Sequence, residues 1–515
     1  VRGYGSNSAG MARPPHPSVM ENKGMNRREF ISGGLVAGGA AAIRGVKAAE
    51  PALPPIKANG KVPYRIFWTW DHSTNWSLNV PGEQNCGVAN EYTKKPGMFE
   101  LDYKRAVDWC AAHKMNGIGI VGMLRDRHGG VDSARRLCAY AREKGVRIYL
   151  IAGLFAYGGI YYEGNSPWSL NELFKAHPDW IGKRKDGSPL LVQYRAAGGS
   201  KCDPQGCPSN PELRKYVLDS LDWLFKTIPE LGGIQMEAGD NGVCQCEKCR
   251  ERRGLNAVLE DMSVEDMALI YPDAGEVIRS RSKDAWVICE TYHHFLDESC
   301  QRTFRKDNPD PNVQKLLAMP GATIWQWKCD RRLRGVNGQH WDENDRMITD
   351  MRKFHHIMRS HTGTQWWDGR GTFGVDLIRR QCRLSCTAGI DYVSMFGENS
   401  PFYANSEFNY LALTYFAEQP FALLDHFVRD EMSPRLGGWE CAQKWLEFCN
   451  LHLDPKKVPA AVDEIAKIIT GISDYKVRRR WFQLADWLNS YNSEAEFWPD
   501  DKGHNYYGRS FGVGI

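Results

Sequence analysis

Carboxylates, amides and indoles recur in this sequence at the ends of short apolar runs. Trp68-Thr-Trp70-Asp71 closes one run, Glu237-Ala-Gly-Asp240-Asn241 another, and Glu290-Thr-Tyr292-His293-His294 a third. Trp325-Gln-Trp327, Gln365-Trp366-Trp367-Asp368 and Phe396-Gly-Glu398-Asn399 follow. Glu237, Asp240, Glu290, Asp368 and Glu398 are therefore candidate acids, bases or nucleophiles. Cleavage of a glycosidic bond uses two carboxyl groups: one protonates the leaving oxygen, the other attacks or activates water. Trp68, Trp70, Trp325, Trp327, Trp366 and Trp367 each offer a large apolar face and one donor, suited to stacking on the C–H face of a sugar. Asp71, Asn241, Tyr292, His293 and His294 add hydrogen-bonding groups. Each residue also has a plainer role, since a strand-end carboxylate can cap a helix or pair with arginine and a Trp can fill the core. Their collection on one rim is stronger evidence than any single member. No Gly-x-Ser-x-Gly elbow and no His-Glu-x-x-His zinc helix accompanies them.

A second group is made of thiols. Cys244-Gln-Cys246-Glu-Lys-Cys249 follows the Glu237 run, and Cys202 and Cys207 lie about forty residues upstream. Cys207, Cys244, Cys246 and Cys249 would suit a structural zinc ion that pins the loop carrying Asp240. Disulfides in an oxidising compartment are the other reading. A closed thiolate site leaves no open position for catalysis, so no cofactor is expected to be required for the chemistry.

The elements that would position these residues alternate. Eight β-like runs are Tyr64–Trp70, Gly117–Met123, Val146–Leu154, Gly233–Glu237, Ala285–Glu290, Ala322–Trp327, Gly363–Trp367 and Asp391–Phe396. Helical patterns lie between them, at Leu101–Lys114, Asp132–Lys144, Asn210–Leu231, Glu343–Met358 and Val375–Ala388. Asn210-Pro211-Glu212 reads as an N-cap with proline in the first turn. Eight βα units predict a closed (β/α)₈ TIM barrel, whose reacting groups sit at the C-terminal strand ends. A doubly wound open sheet is disfavoured, because no Gly-rich phosphate loop follows the first strand. After about residue 420 only helical patterns appear, at Ala422–Met432, Trp439–Leu451, Ala460–Ile472 and Val477–Ser490. The expected layout is a tail and signal over 1–49, a barrel over 50–420 and an α-helical C-terminal domain over 421–515.

Met25-Asn-Arg27-Arg28-Glu-Phe30-Ile31, a Gly/Ala-rich run and Val46-Lys-Ala48-Ala49 read as a twin-arginine signal. The expected partner during export is the twin-arginine translocase, and the destination is the periplasm or the exterior. That pathway carries folded proteins, so a metal would be loaded in the cytoplasm. The chain carries 66 Lys+Arg and 62 Asp+Glu, a net +4. Seven basic and two acidic residues fall within 1–49, so the remainder is near −1. A near-neutral body argues against a nucleic-acid partner. No later run has the apolar length of a membrane span.

Ile234-Gln-Met-Glu237-Ala-Gly239-Asp240-Asn241, with Trp-rich sixth and seventh strands and Gly397-Glu398 after the eighth, resembles the barrel of retaining β-hexosaminidases. Those enzymes carry Gly-Asp-Glu at the fourth strand, where the Asp orients the acetamido group and the Glu is the general acid. Gly239-Asp240 matches; Asn241 stands where the Glu would be, and an amide cannot donate a proton as a carboxylic acid does. The chain also resembles the wider set of hexosaminidase-like and xylan α-glucuronidase-like exported proteins, which combine a barrel with a helical C-terminal domain. That resemblance implies Glu237 or Asp240 as acid and Asp368 or Glu398 as base or nucleophile, with Glu290 a further candidate. The expectation is an exported glycoside hydrolase with a poly- or oligosaccharide substrate. A polysaccharide lyase using Tyr292 or a histidine is one alternative. A non-catalytic carbohydrate-binding barrel, favoured by Asn241, is the other.

Overall fold

The structure is a computed structural model. It describes residues 53–56, 60–70, 74–75, 80–81, 96–196, 199–237, 243–254, 263–294, 304–329, 333, 349–362, 372–397, 401–451 and 454–497. The twin-arginine segment lies outside the described residues, as do Asp71, Asp240, Asn241, Trp366, Trp367, Asp368 and Glu398.

Eight parallel strands close into a barrel: β1 (Tyr64–Trp70), β2 (Gly117–Val121), β3 (Arg147–Gly153), β4 (Gly233–Glu237), β5 (Trp286–His294), β6 (Thr323–Lys328), β7 (His355–Arg359) and β8 (Tyr392–Phe396). Closure is direct, because β1 pairs with β8 along one edge and β2 along the other. The strand residues alternate between two environments. Ile66, Trp68, Val121, Tyr149, Ile151, Trp286, Ile288, Ile324, Ile357 and Tyr392 fill the lumen. Their neighbours, such as Phe67, Ile118, Leu150, Met236 and Val287, pack outward beneath the helices. Strands buried on both faces read as continuous apolar runs, which is why most were visible in the sequence.

The covering helices include α1 (Pro96–Ala112), α2 (Gly130–Glu143), α3 (Pro211–Thr227), α4 (Val264–Arg281), α5 (Pro311–Leu317), α6 (Val375–Ala388) and α7 (Ala404–Glu418). The cap before α3 is as expected: the Asn210 side chain accepts from the Glu212 and Leu213 amides, and Pro211 opens the helix. A Ser263–Asp266 capping box starts α4. Beyond α7 a continuous helical run over 424–436, with a π-helical middle at Val428–Met432, covers most of the helix expected at Ala422–Met432, and is followed by α8 (Trp439–Cys449), α9 (Val458–Thr470) and α10 (Tyr475–Phe497). They are tied to α7 by Trp445 Nε1 donating to Asn405, and by Arg480 paired with Glu407. No helix among the described residues is long and apolar enough to cross a membrane.

The seventh strand differs from expectation. The run Glu343–Met358, expected as a helix, contains a 3₁₀ turn at Thr349–Met351 and most of β7, which extends over His355–Arg359. Met347, Met351, Phe354 and Met358 mimic helical spacing, whereas Ile357 and Arg359 point into the lumen and Met358 packs outward. Short apolar runs do not separate the two periods. Residues 363–367, expected as the strand, lie outside the described residues.

Candidate active site at the barrel mouth

Two of the candidate carboxylates meet. Glu237 ends β4 and Glu290 lies on β5, both facing inward. Gln235, two residues before Glu237, directs its amide nitrogen at both: 2.8 Å to Glu237 Oε1 and 3.3 Å to Glu290 Oε2. These two oxygens are therefore no farther apart than the sum of those distances. Glu290 is 1 % exposed and Glu237 8 %, so Glu237 is the one nearer the opening.

Glu290 is fully engaged. Its Oε1 accepts from Gln326 Nε2 at 3.0 Å and pairs with the Arg359 guanidinium. That guanidinium lies 4.4 Å from the Trp68 ring centroid and 3.1 Å from His361 Nε2. Tyr149 on β3 completes the layer. Burial pushes its phenol up; Arg359 opposes this, and Glu290 and Glu237 reinforce it. Tyr149 is thus a neutral hydroxyl. Its ring lies over Gly119, where a Cβ would sit 2.4 Å from the ring carbon bearing the hydroxyl. The Tyr149 hydroxyl and the side-chain oxygens of Gln235 and Gln326 make no hydrogen bond among the described residues.

An aromatic group adjoins this layer. Tyr157 and Tyr162, from the loop after β3, pack in the lumen with Trp68, Val121 and Ile151. Arg125 anchors that loop: it pairs with Glu163 at 2.7 Å and lies 4.2 Å from the Tyr162 ring centroid. Asp126 accepts from Tyr161 Oη at 2.5 Å and from the Asn165 amide at 2.8 Å.

Trp325 and Trp327, expected as sugar platforms, face the other way. They are 0 % and 1 % exposed, packed between β6 and the outer layer against Tyr271, Phe304 and Phe354. Trp327 Nε1 donates to His356 Nδ1 at 2.9 Å. Strand alternation explains this: Gln326, between the two indoles, takes the lumen position. Trp70, Tyr292, His293 and His294 lie in strands, but their side chains are outside the described residues. Gln235, Gln326, Arg359 and Tyr149 escaped sequence reasoning. The signal for the two glutamines was the period of two: Gln235 precedes Glu237 by two, and Gln326 pairs in register with Glu290.

The four thiols Cys207, Cys244, Cys246 and Cys249 also meet, with all sulfurs within 4.8 Å of one another. Cys207 Sγ lies 3.7 Å from both Cys246 Sγ and Cys249 Sγ. They join the loop after β4 to the loop after β3, where the Lys183 amide donates to Cys244 Sγ at 3.3 Å.

No protein-family model and no curated protein matches this sequence. Among solved structures, similarity extends to a GH138 enzyme targeting pectin rhamnogalacturonan II, over 85 % of this chain, at 11 % identity and a TM-score of 0.45. This chain spans 57 % of that protein's length. A noncanonic maltogenic α-amylase from Thermotoga neapolitana is similar over 69 % of this chain and 77 % of its own, with 10 % identity and a TM-score of 0.37. An α-amylase from Geobacillus thermoleovorans is similar over 69 % and 78 %, with 11 % identity and a TM-score of 0.39.

Proposed function

We propose that this protein is an exported glycoside hydrolase acting on poly- or oligosaccharides. The observation that carries the reading is the meeting of carboxylates and aromatic rings at the barrel mouth. Strands β4 to β7 present Glu237, Glu290 and Arg359, and Trp68, Tyr157 and Tyr162 pack together beside them, with the Arg359 guanidinium 4.4 Å from the Trp68 ring centroid. A sugar ring offers the matching pair of surfaces, a hydroxyl edge and an apolar C–H face. In this reading Glu237 is the proton-transferring carboxyl. Its neighbour Glu290 is already held by Arg359, Gln326 and Gln235, and so acts as a positioning residue. The second reacting carboxylate then comes from Asp240, Asp368 or Glu398. The chemistry requires no cofactor, and the twin-arginine segment directs the folded protein to the periplasm or exterior.

The test is an activity screen on aryl glycosides and polysaccharides with Glu237→Gln, Glu290→Gln, Asp240→Asn, Asp368→Asn and Glu398→Gln beside the parent. Glu237→Gln is expected to lower kcat at least about a hundredfold, the usual share of a general acid. Cleavage unchanged in Glu237→Gln would remove that residue from the mechanism. Products with unsaturated ends would establish a lyase instead, and glycan binding without cleavage a binding barrel.

A further inference from the structure

The cysteine cluster is far from any role in sugar chemistry, yet four thiols converge in one partly sealed place. Tetrahedral zinc with bonds of about 2.3 Å separates its sulfur ligands by about 3.8 Å. The Cys207–Cys246 and Cys207–Cys249 separations, both 3.7 Å, match that edge. A disulfide would bring one pair to about 2.05 Å. Cys207 is instead equidistant from two partners, the arrangement of a shared central ion.

The surroundings are those of a negatively charged metal–thiolate centre. The Lys183 amide donates to Cys244 Sγ, and Ser209 Oγ lies 3.0 Å from Cys249 Sγ. Arg252 Nη2 lies 3.7 Å from the same sulfur. Donors aimed at ligand sulfurs are the outer shell that such centres use to fix ligand orientation and offset charge. Four thiolates around one Zn²⁺ carry a net charge of −2, and two arginines, Arg252 and Arg253, stand beside them.

We propose that Cys207, Cys244, Cys246 and Cys249 bind one Zn²⁺ in a closed tetrahedral site. Binding exchanges four thiol protons, released to solvent, for four Zn–S bonds, with no change in oxidation state. The ion staples the loop that follows Glu237 to the loop after β3. It also reaches the barrel through a continuous chain of contacts. Arg253 donates to the Cys244 carbonyl and pairs at 2.7 Å with Asp266. Asp266 stands in the first turn of α4. One and a half turns on, Tyr271 Oη donates to the Glu290 carbonyl at 2.8 Å and lies 3.1 Å from the Met236 carbonyl. The metal thus supports the helix that holds the ends of β4 and β5 together.

The test uses the full chain purified without chelator. Elemental analysis is expected to give about one zinc per chain, with the four thiols unreactive until the metal is removed. Cobalt exchange should produce the intense visible bands of a tetrahedral thiolate site. Cys249→Ser should lose the ion, whereas Cys382→Ser, at a buried cysteine on α6, should keep it. Removal of the ion by chelation should lower the melting temperature. Metal-free protein after growth in zinc, with the four cysteines either paired in disulfides or freely reactive, would overturn the proposal. These readouts are made on the parent chain, so they stand even where a variant fails to fold, and they do not depend on whether a glycan is cleaved.

Discussion

Replacing Arg359 by methionine removes a cation that touches Glu290, Trp68 and His361 at once. The Arg359 and Glu290 side chains are only 4 % and 1 % exposed, so solvent can do little to compensate. Removing one member of such a pair costs about 3–5 kcal/mol, because the other stays charged and buried. Two neutral donors would remain on Glu290, Gln235 at 3.3 Å and Gln326 at 3.0 Å. They soften the loss without replacing a cation. Detaching the guanidinium from the Trp68 face adds about 1–2 kcal/mol, which places Arg359→Met towards the upper end of the range. The assay is urea denaturation of the parent, Arg359→Met, Glu290→Gln and the double variant. The double variant leaves neither charge stranded. Its loss should therefore fall short of the summed single losses by about 2 kcal/mol. Strictly additive losses, or a cost below about 1 kcal/mol for Arg359→Met alone, would refute the coupled buried pair.

Gly119→Ala would drive a Cβ to 2.4 Å from the Tyr149 ring inside a filled lumen; a loss of about 1–3 kcal/mol is expected, and an unchanged denaturation midpoint would show that the tyrosine can move. Trp327→Phe should cost about 1–3 kcal/mol by leaving His356 Nδ1 without its donor, with glycan affinity in titration calorimetry unaltered, whereas Trp68→Ala should weaken that affinity. His356 predicts a pH dependence. Desolvation lowers its pKa to about 4 from 6.5, so the unfolded chain takes up the proton first. Its contribution is complete above about 6.5 and is lost as pH falls towards about 4, roughly 3 kcal/mol in all. Melting curves across that window should be flatter for His356→Gln than for the parent; parallel curves would exclude the histidine as their cause.

Seven of the eight strands were legible because a barrel strand is apolar on both faces and bounded by turn residues. Boundaries from Tyr64–Trp70 and Gly233–Glu237 agree with the structure residue for residue. The seventh was lost because two inward histidine and arginine positions break its apolar run, while the segment before it carries methionines at helical spacing. Arg359 was lost with it. Helix α4, absent from the sequence expectations, carries Pro272 and Gly275 in its interior; packing of Met267, Ile270, Tyr271 and Ile278 against the barrel outweighs their low helix propensity. The direction of the sixth-strand indoles was missed for another reason. Sequence places Trp325 and Trp327 on one face and Gln326 on the other, but which face looks inward depends on the register with β5. A tryptophan pair is easily read as a ligand platform when the polar residue between them is the one exposed to the lumen.

The same strands that carry the charged layer carry an apolar one two residues earlier. Ile288 precedes Glu290, Ile324 precedes Gln326 and Ile357 precedes Arg359, and all three isoleucines fill the lumen beside Ile66. Continuing that isoleucine layer upward would have filled the barrel at no electrostatic cost. A buried ion pair is seldom more stabilising than apolar residues of the same volume, and the side-chain oxygens of Gln235 and Gln326, which find no partner among the described residues, add nothing to offset it. The switch from isoleucine to charge therefore serves something other than stability. It occurs on adjacent strands towards their C-terminal ends, which is where parallel barrels bring reacting groups together. Structural arginine–carboxylate pairs scattered through the core would show no such preference for one end. The gathering of Glu237, Glu290 and Arg359 at that end, beside Trp68, is what separates a built site from an incidental pair.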